Sequence, residues 1–324
     1  MRVSVVIPTY RRPESLARCL DALDRQERPA DETIVVVRDD DDASRQVVRT
    51  RARPVRVVTV TRSGVVAAMN AGVDCSSGDV VTLTDDDAAP HPDWLARIAA
   101  SYEGDPRIGA VGGRDWIYKQ GVLWGRGSAR VVGAIGRFGR VRGNHHLGVG
   151  PARDVDILKG VNLSVRGELL REIRCDERLL GVGTEHHWEL GLCLTIRRRG
   201  FRVIYDPAIA VDHYPQPRVD DSRQFSSREL RDATHNSSLA VLEHLPAWRR
   251  GPFLAWMFAI GTRSAPGVAQ AVRLAPSRGL ASWSLFRGTQ AGVILAVRSQ
   301  RRSRRAARAG SAAGGLPASR RQVS

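Results

Sequence analysis

Short apolar segments that alternate with helix-like segments constrain the fold of this chain most strongly. Nearly continuous apolar runs, such as residues 3–7, are typical of parallel strands that are buried on both faces. Leu16, Leu20 and Leu23 then recur at the spacing of one helical face, and residues 65–73 form a second helix-like segment. This alternation predicts an α/β fold with a mostly parallel sheet flanked by helices. The strands are expected at residues 3–7, 33–37, 55–60, 80–84 and 108–111.

Three consecutive carboxylates, Asp85, Asp86 and Asp87, directly follow the fourth predicted strand. Such carboxylates repel one another, so they need either a cation or wide exposure to solvent. In an open α/β sheet, ligands bind in the crevice outside the carboxyl ends of the strands. The triplet therefore indicates a hard-metal site that faces a phosphate-bearing substrate. The alternative is a solvated turn or the cap of the helix expected to begin near Pro92.

Five segments of the chain form a recognisable series. They are Val-Val-Ile-Pro-Thr-Tyr-Arg-Arg at 5–12, the acidic exit of strand two, Leu-Thr-Asp-Asp-Asp at 83–87 with Pro-Asp-Trp-Leu at 92–95, Gly-Val-Asn-Leu-Ser-Val-Arg at 160–166, and residues 199–213 ending in Val-Asp-His. In this order they resemble the family 2 glycosyltransferases, over roughly residues 1–215. The resemblance implies a GT-A fold, which is a Rossmann-like α/β architecture, together with a nucleoside-diphosphate sugar donor, Mg²⁺ or Mn²⁺, and inversion at the anomeric carbon.

The resemblance assigns the metal site to the acidic triplet and one histidine. Asp87 would hold the metal, and Asp85 would contact the donor's ribose or the same metal. His213, at the end of a later strand, would complete the site, or it would be an ordinary histidine at the sheet edge. Asp86 is grouped with the donor site. A divalent cation between the two phosphates would stabilise the charge that develops on the leaving group, and oxygen ligands suit Mg²⁺ or Mn²⁺.

The nucleoside would lie at the exits of strands one and two. An acidic residue at the second exit would accept hydrogen bonds from the base, with Asp39 preferred and Asp40 as the alternative. The family usually has two Asp followed by Gly and Ser here, whereas this chain has Arg38, four Asp and then Ala-Ser. Arg62 would meet the diphosphate or be a solvated surface arginine. The donor-binding set is Pro8, Thr9, Tyr10, Asp39, Asp40, Arg62, Asp85 and Asp86.

The acceptor hydroxyl needs a general base, and relatives carry an acidic pair shortly before the helix that ends near residue 199. Counting back from that helix selects Glu189, whereas counting forward from the preceding glycine selects Glu185. We take Glu189, because Trp188 beside it would form an apolar wall for a sugar ring and raise the carboxylate's proton affinity. Glu185 and His187 are held in reserve, and Glu189 on a helix surface is the alternative. The acceptor site is assigned to Gly160, Asn162 and Trp188.

Positive charge is concentrated at the C-terminus. The formal charge is +16, and the stretch after Glu243 has fourteen arginines and no acidic residue. Its apolar pieces, 253–260 and 292–297, are shorter than the roughly 18 residues of a spanning helix. They predict helices that lie on an anionic membrane surface or pack as a cap. The domains are expected at 1–215 (catalytic, with a donor half at 1–111 and an acceptor half at 112–215), 216–300 (helical appendage) and 301–324 (basic disordered tail).

Two functions of other classes compete with this one. A nucleic-acid-binding protein would suit the sequence pI of about 11.0, but the basic excess lies outside the motif-bearing region. A non-catalytic nucleotide- or sugar-binding relative is the second.

The His pairs lack the spacing of zinc motifs. Scattered cysteines and a first strand close to Met1 favour the cytoplasm, with the enzyme peripheral on the inner face of the membrane. The predicted function is a metal-dependent glycosyltransferase of cell-envelope glycans, with a glycan or lipid-linked acceptor.

Overall fold

A computed structural model describes residues 1–125, 127–181, 183, 185–216 and 227–313. The strands are β1 Val3–Thr9, β2 Glu32–Arg38, β3 Arg56–Val60, β4 Val80–Leu83, β5 Ala88–Pro90, β6 Ile108–Lys119, β7 Val122–Leu123, β8 Ala134–Ile135, β9 Val141–Arg142, β10 Arg153–Asp154, β11 Leu163–Arg166 and β12 Arg202–His213. The helices are α1 Pro13–Asp24, α2 Asp42–Arg49, α3 Val65–Cys75, α4 Trp94–Gly104, α5 Gly167–Ile173, α6 Trp188–Arg198, α7 Ser227–His244, α8 Ala247–Ala259, α9 Val268–Arg278 and α10 Ala281–Ala313, with a 3₁₀ turn at His145–Leu147.

One large mixed sheet organises the chain, with its main strands in the order β10-β12-β6-β11-β4-β1-β2-β3. The strands β4, β1, β2 and β3 are parallel, as the alternating pattern predicts. β11 runs antiparallel between β4 and β6, and β12 runs parallel to β6. The predicted α/β class with a mostly parallel sheet and a C-terminal helical region is therefore confirmed.

Alternate residues of the central strands pack against helices on opposite faces of the sheet. Val6 and Val36 belong to the cluster that includes Met69 of α3. Val5 and Val35 belong instead to the cluster that includes Leu16 of α1. Burying each such side chain contributes about 1.5–3 kcal/mol relative to leaving it in water. The continuous apolar runs in the sequence are explained by this two-sided burial.

A register shift between β6 and β12 sets where the last residues of β12 lie. Asp206 pairs with Gly113, but the next paired residue of β12 is Ala210, so residues 207–209 bulge out of the ladder. Gly113 makes room for the bulge, because a Cβ there would lie 1.9 Å from the Ile209 carbonyl oxygen. Beyond the bulge, His213 pairs with Ile117 at the carboxyl edge of the sheet.

The C-terminal helices pack on the sheet domain. Leu239 of α7 and Phe253 of α8 are buried in the same cluster as Trp188 of α6. α10 lies close to α7 because the facing residues are small: a Cβ at Gly292 would lie 2.4 Å from the Arg231 carbonyl oxygen. Within the described residues, no helix is sufficiently long and apolar to cross a membrane.

The predicted start of the disordered tail, residue 301, lies inside a helix of the structure. Residues 301–313 are helical, as the end of α10. Gln300 donates a hydrogen bond to the Leu242 carbonyl, and Arg178 donates one to Ser303 Oγ at 2.6 Å, so this end of α10 is tied to the domain. Its Arg- and Ala-rich composition is similar to that of disordered tails, although both residue types favour helices. Residues 314–324 lie outside the described residues, as does the segment 217–226 next to the expected domain boundary.

Candidate active site

A cavity of about 660 Å³ opens at the carboxyl edge of the sheet. Its walls come from the ends of β1, β2, β3 and β4, from the loop before β11, and from the first turns of α6 and α7. Most of the residues singled out in the sequence meet here. They are Pro8, Thr9, Tyr10, Arg62, Asp85, Asp86, Asp87, Gly160, Glu185, His187, Trp188, Glu189 and His213.

Asp85, Asp87 and His213 form a group that fits a divalent cation. One ligand atom from each lies within 4.8 Å of the others. His213 Nε2 is 3.3 Å from Asp87 Oδ1. Burial opposes the charged form of Asp87, but the hydrogen bond from His213 holds the pKa of that carboxyl below its usual range. Two carboxylates with one imidazole are a donor set that Mn²⁺ or Mg²⁺ accepts.

Asp86 lines the cavity, but its carboxylate is engaged by neighbouring side chains. Its carboxylate accepts hydrogen bonds from Thr9 Oγ1 at 2.8 Å and from Arg12 at 3.1 Å, and it is only 4% exposed. Burial, together with the charge of Asp87, raises the pKa of Asp86 to about 7. Asp86, which follows β4, is therefore hydrogen-bonded to Thr9 at the end of β1. The donor contact expected of Asp86 stays a prediction.

Arg12 is a site residue that sequence reasoning missed. Its guanidinium bridges Asp86 and Asp87, at 3.1 Å and 3.3 Å. It immediately precedes α1, and its place at the end of the Pro-Thr-Tyr-Arg-Arg motif was the available signal. Its positive charge offsets part of the repulsion within the triplet.

A second buried pair supports His213 from behind and was also missed. Asp115 is fully buried in β6 and forms an ion pair with Lys159, which lines the cavity. Asp115 Oδ2 also lies 3.8 Å from His213 Nδ1. Although burial opposes it, hydrogen bonding of the imidazole to the carboxylates of Asp115 and Asp87 raises the pKa of His213 to about 9. A charged residue in an apolar strand was the signal, but the strand was expected to end at residue 111.

The acidic exit of β2 lies at the rim of the site. Asp39 and Asp40 are exposed and, within the described part of the chain, neither lines the cavity. Asp40 accepts a hydrogen bond from the Tyr10 hydroxyl at 3.0 Å, and the Arg38 guanidinium stacks over the Tyr10 ring at 4.5 Å. Asp41 is instead structural, because it caps α2 by accepting from the Ser44 backbone N–H. Asp40 therefore pairs with Tyr10 at the rim of the site, whereas Asp41 stabilises the start of α2.

Arg62 lines the cavity from the end of β3. Its guanidinium pairs with Glu177 at 2.9 Å, and both side chains are more than half exposed. A pair exposed to this degree contributes about 0–1 kcal/mol, so a phosphate ligand could displace Glu177 at little cost.

The two candidate bases differ in their surroundings. Glu185 accepts a hydrogen bond from the Val66 backbone N–H at 3.2 Å and lies against Gly64, so it caps the start of α3. Glu189 is half-buried in the first turn of α6, where burial raises the pKa of its carboxyl to about 7. Glu185 thus has a packing role at the start of α3, whereas Glu189 has a carboxyl whose pKa is raised by burial, and the choice of Glu189 as base stays a prediction.

The predicted acceptor residues divide into two groups. The Trp188 ring packs directly on Gly160, where a Cβ would lie 2.6 Å from the ring. Within the described residues, Asn162 does not line the cavity: it is 1% exposed, accepts from Trp94 Nε1 at 2.9 Å and donates to the Ile209 carbonyl at 2.8 Å. These hydrogen bonds give Asn162 a structural role beside the turn that carries Gly160, and its acceptor contact stays a prediction.

The first turn of α7 supplies a wall that the sequence did not indicate. Arg228, Glu229 and Asp232 line the cavity there. These residues were missed because they belong to the stretch interpreted as a separate appendage. No local motif marks them, and only the packing of α7 beside α6 brings them to the site.

Known proteins match this chain in sequence. Residues 4–155 match the family model described as Glycosyl transferase family 2. The chain is 27% identical over 226 residues to a glucosyl-dolichyl phosphate glucuronosyltransferase of Haloferax volcanii, covering 66% of this chain and 69% of that protein. It is 26% identical over 193 residues to glycosyltransferase AglE of the same organism, covering 57% of this chain but only 59% of that protein.

The fold has a counterpart among solved structures. The mannosyltransferase PcManGT from Pyrobaculum calidifontis, in complex with GDP-Man and Mn²⁺, superposes with a TM-score of 0.53 at 19% identity. The alignment covers 92% of this chain and 86% of the mannosyltransferase. This likeness identifies the architecture as GT-A, as the motif resemblance implies.

Proposed function

Since the chain belongs to glycosyl transferase family 2, through the domain at residues 4–155, we propose that it moves a sugar from a nucleoside-diphosphate donor to an acceptor hydroxyl. The transfer would depend on a divalent cation and invert the anomeric carbon. One observation carries this proposal: Asp85, Asp87 and His213 converge within 4.8 Å at the same cavity that Glu189 lines. A metal group and a separate carboxylate are the two elements that such a transfer needs.

Asp85, Asp87 and His213 would hold the cation. When bound, it supplies Lewis-acid stabilisation of the charge that develops on the diphosphate. Asp87 is positioned for this role by Arg12 and by the backbone N–H of Gln216, which donates to its Oδ2 at 3.2 Å. PcManGT, which shares the fold, is a complex with Mn²⁺, and this supports the choice of a divalent cation.

The nucleotide would occupy the exits of β1 to β3. Tyr10, fixed between Arg38 and Asp40, offers an aromatic face for the base. Asp39 and Asp40 remain the candidates for base recognition from the rim. Arg62, released from Glu177, and Lys159 would supply positive charge toward the diphosphate.

Glu189 would act as the general base that takes the acceptor's hydroxyl proton as the new glycosidic bond forms. A proton affinity near neutrality suits this role, because the base must be ionised before transfer and protonated after it. A single attack from the face opposite the leaving diphosphate inverts the anomeric carbon. Gly160 and Trp188 would form the floor on which the acceptor sugar lies.

The acceptor is proposed to be a lipid-linked or other cell-envelope glycan. The Haloferax relative's name specifies a dolichyl-phosphate-linked glucose as acceptor, which supports this class. A non-catalytic nucleotide-sugar-binding protein is the alternative. The perturbed carboxyl of Glu189 favours the enzyme, because binding alone requires no base at that position.

A panel of nucleotide sugars tests the proposal. Purified protein is incubated with each donor, and release of the nucleoside diphosphate is followed with Mn²⁺, with Mg²⁺ and with a chelator. We expect one donor to stabilise the protein thermally and to be hydrolysed or transferred only with metal. Metal-dependent donor binding without any turnover, in the presence of a crude glycolipid fraction, would instead favour the non-catalytic alternative. A donor affinity that is the same with and without the metal would contradict the proposed metal site.

A further inference from the structure

The C-terminal helices carry a group of apolar side chains on the protein surface. Leu280 is 88% exposed, Phe258 is 56% exposed and Trp283 is 39% exposed. Phe286 joins the rings into one cluster, because its centroid lies 6.0 Å from those of both Phe258 and Trp283. Leu280 lies one turn before Trp283, whose backbone N–H donates to the Leu280 carbonyl at 3.1 Å. We call Phe258, Leu280, Trp283 and Phe286 the aromatic patch.

Phe258, Leu280 and Trp283 of the patch are exposed to solvent, whereas Phe286 is half-buried. Further along α10, the residues Thr289, Val293 and Ala296 are buried, and α10 packs against α7 and α8. The exposed rings therefore do not complete the hydrophobic core of the described chain. Exposed apolar clusters of this kind mark surfaces that bind a partner or a membrane.

Exposed arginines lie in the same stretch of sequence as the patch. Arg263, Arg278 and Arg287 are exposed, and across the described ranges none of them forms an ion pair. Arg287 follows Phe286 directly in α10. No acidic residue follows Glu243 in the sequence, so nothing nearby in the chain offsets these cations. A bilayer with anionic lipids has a negatively charged surface and an apolar interior, so arginines and exposed apolar side chains together complement it.

The aromatic patch adjoins the substrate cavity. Ser284, the residue after Trp283, has its hydroxyl oxygen 2.7 Å from that of Ser227. Ser227 immediately precedes Arg228, which lines the cavity. One turn further along α10, Gly288 packs on the Ser227 carbonyl, where a Cβ would lie 2.9 Å from the oxygen. The start of α10 is therefore in contact with the helix turn that forms one wall of the site.

We propose that the aromatic patch and its flanking arginines dock the protein on a bilayer that contains anionic lipids, and that the cavity takes its acceptor from that bilayer. Leu280 and the rings would enter the boundary between headgroups and acyl chains, while the guanidinium groups meet lipid phosphates. The acceptor is then an amphiphile whose polar end stands at the bilayer surface. Docking is independent of catalysis, whereas the acceptor class rests on the proposed function.

Vesicle flotation tests the docking surface. The full-length protein is mixed with vesicles of phosphatidylcholine alone or of phosphatidylcholine with phosphatidylglycerol, at low and at high salt. We expect flotation with the phosphatidylglycerol vesicles, weakened by salt because surface charges are screened. Leu280→Ser should lower the partition coefficient about tenfold or more, since it removes an apolar side chain from the bilayer. Arg263→Gln and Arg287→Gln should each lower it about fivefold at low salt.

Matched controls come from other exposed positions. Val122→Ser changes an aliphatic side chain on β7 that is 67% exposed, and Arg49→Gln removes an exposed arginine on α2. Val122→Ser leaves the net charge unchanged and Arg49 lies outside the patch, so each control should change flotation by less than about twofold, well below the fivefold effect of a patch arginine. Losses in the controls equal to those in the patch variants would overturn the proposal, because they would indicate binding without a defined surface.

Two further measurements separate docking on lipid from self-association and from a damaged fold. Light scattering that shows a dimer, converted to a monomer by Leu280→Ser, would overturn the bilayer proposal by making a second copy the occupant of the patch. Metal-dependent binding of the nucleotide-sugar donor should be the same in Leu280→Ser as in the native protein. Loss of flotation with donor binding retained supports the docking surface, even if no acceptor is found. Absence of flotation at any salt concentration would end the proposal.

Discussion

His213 and Asp87 face each other across the carboxyl edge of the sheet, with the imidazole Nε2 3.3 Å from the carboxylate Oδ1. The two residues lie far apart in sequence, and they meet because β5, just after Asp87, pairs with the end of β12. Asp115 supports the other side of the same ring at 3.8 Å. A cation that enters this site would thus find its imidazole ligand already oriented by a buried carboxylate.

Asp87→Ala should abolish metal-dependent donor binding and transfer. The variant removes a carboxylate that is held toward the cavity, and the neighbouring Asp85 and His213 alone would bind a cation weakly. Calorimetric titration of the donor with and without Mn²⁺ measures the effect. Asp212→Ala is the matched control, because Asp212 precedes His213 but faces His91 at 3.1 Å. Donor affinity that stays metal-dependent in Asp87→Ala would exclude the metal role.

Glu189→Gln should keep donor affinity and lose most turnover, by about 10²- to 10⁴-fold, because an amide cannot take the acceptor's proton. Glu185→Gln should instead lower stability by about 1 kcal/mol through the weakened cap of α3, with turnover largely retained. Single-turnover kinetics and chemical denaturation of both variants separate the two roles. The reverse result would place the base at Glu185.

The turnover number should depend on the protonation of Glu189. Its pKa is raised to about 7, mainly by burial, so below that pH the carboxyl holds a proton and cannot act as a base. The expected profile rises about tenfold per pH unit up to about pH 7 and then levels off. It is measured at saturating donor and metal. A Glu189→Gln variant that keeps the same rising limb would show that another group controls the profile.

Asp115→Asn should destabilise the fold by about 2 kcal/mol, because it removes the charged partner of Lys159 and one support of the His213 ring. Lys159→Met leaves a buried carboxylate with one partner fewer and should also destabilise. If Asp115 positions His213, Asp115→Asn should in addition weaken Mn²⁺ binding more than Lys159→Met does. Equal metal affinities in the two variants would reduce Asp115 to a purely structural role.

Gly292→Val should destabilise the protein by about 1–3 kcal/mol, since the new side chain would collide with the Arg231 backbone and push α10 away from α7. Gly251→Ala is the comparison. It lies in α8, a Cβ there meets no described atom within 4 Å, and the substitution should be neutral or stabilising by up to about 1 kcal/mol. Thermal unfolding of both variants measures the difference. Similar melting temperatures would mean that α10 packs loosely.

The local sequence pattern predicted the strands of the parallel part of the sheet well. It predicted less well the features that depend on contacts between distant segments. The apolar runs located β1 to β4, and the motifs located Asp85, Asp87 and His213, because these features depend on residues close together in sequence. Arg12, Asp115 and Lys159 were missed because their roles depend on which strands become neighbours. A polar residue in a motif suggests a ligand contact, as was predicted for Asn162, and only the structure shows that its amide donates to a buried backbone carbonyl. The different surroundings of Glu185 and Glu189 are visible only in the structure, in which α3 begins beside Glu185.

The three residues that bulge out of the ladder between Asp206 and Ala210 set how far the end of β12 extends along β6. If these residues paired regularly in the ladder, His213 would extend about 10 Å further along the edge of the sheet, at about 3.3 Å per residue, and would pass the carboxylates of the triplet. Because side chains alternate between faces, a register shift of three residues would also turn the imidazole to the opposite face of the strand. The bulge, at a position remote from any ligand, therefore determines whether the cation site exists, and a substitution that forces these residues into the ladder would erase the site with every ligand residue still present in the sequence.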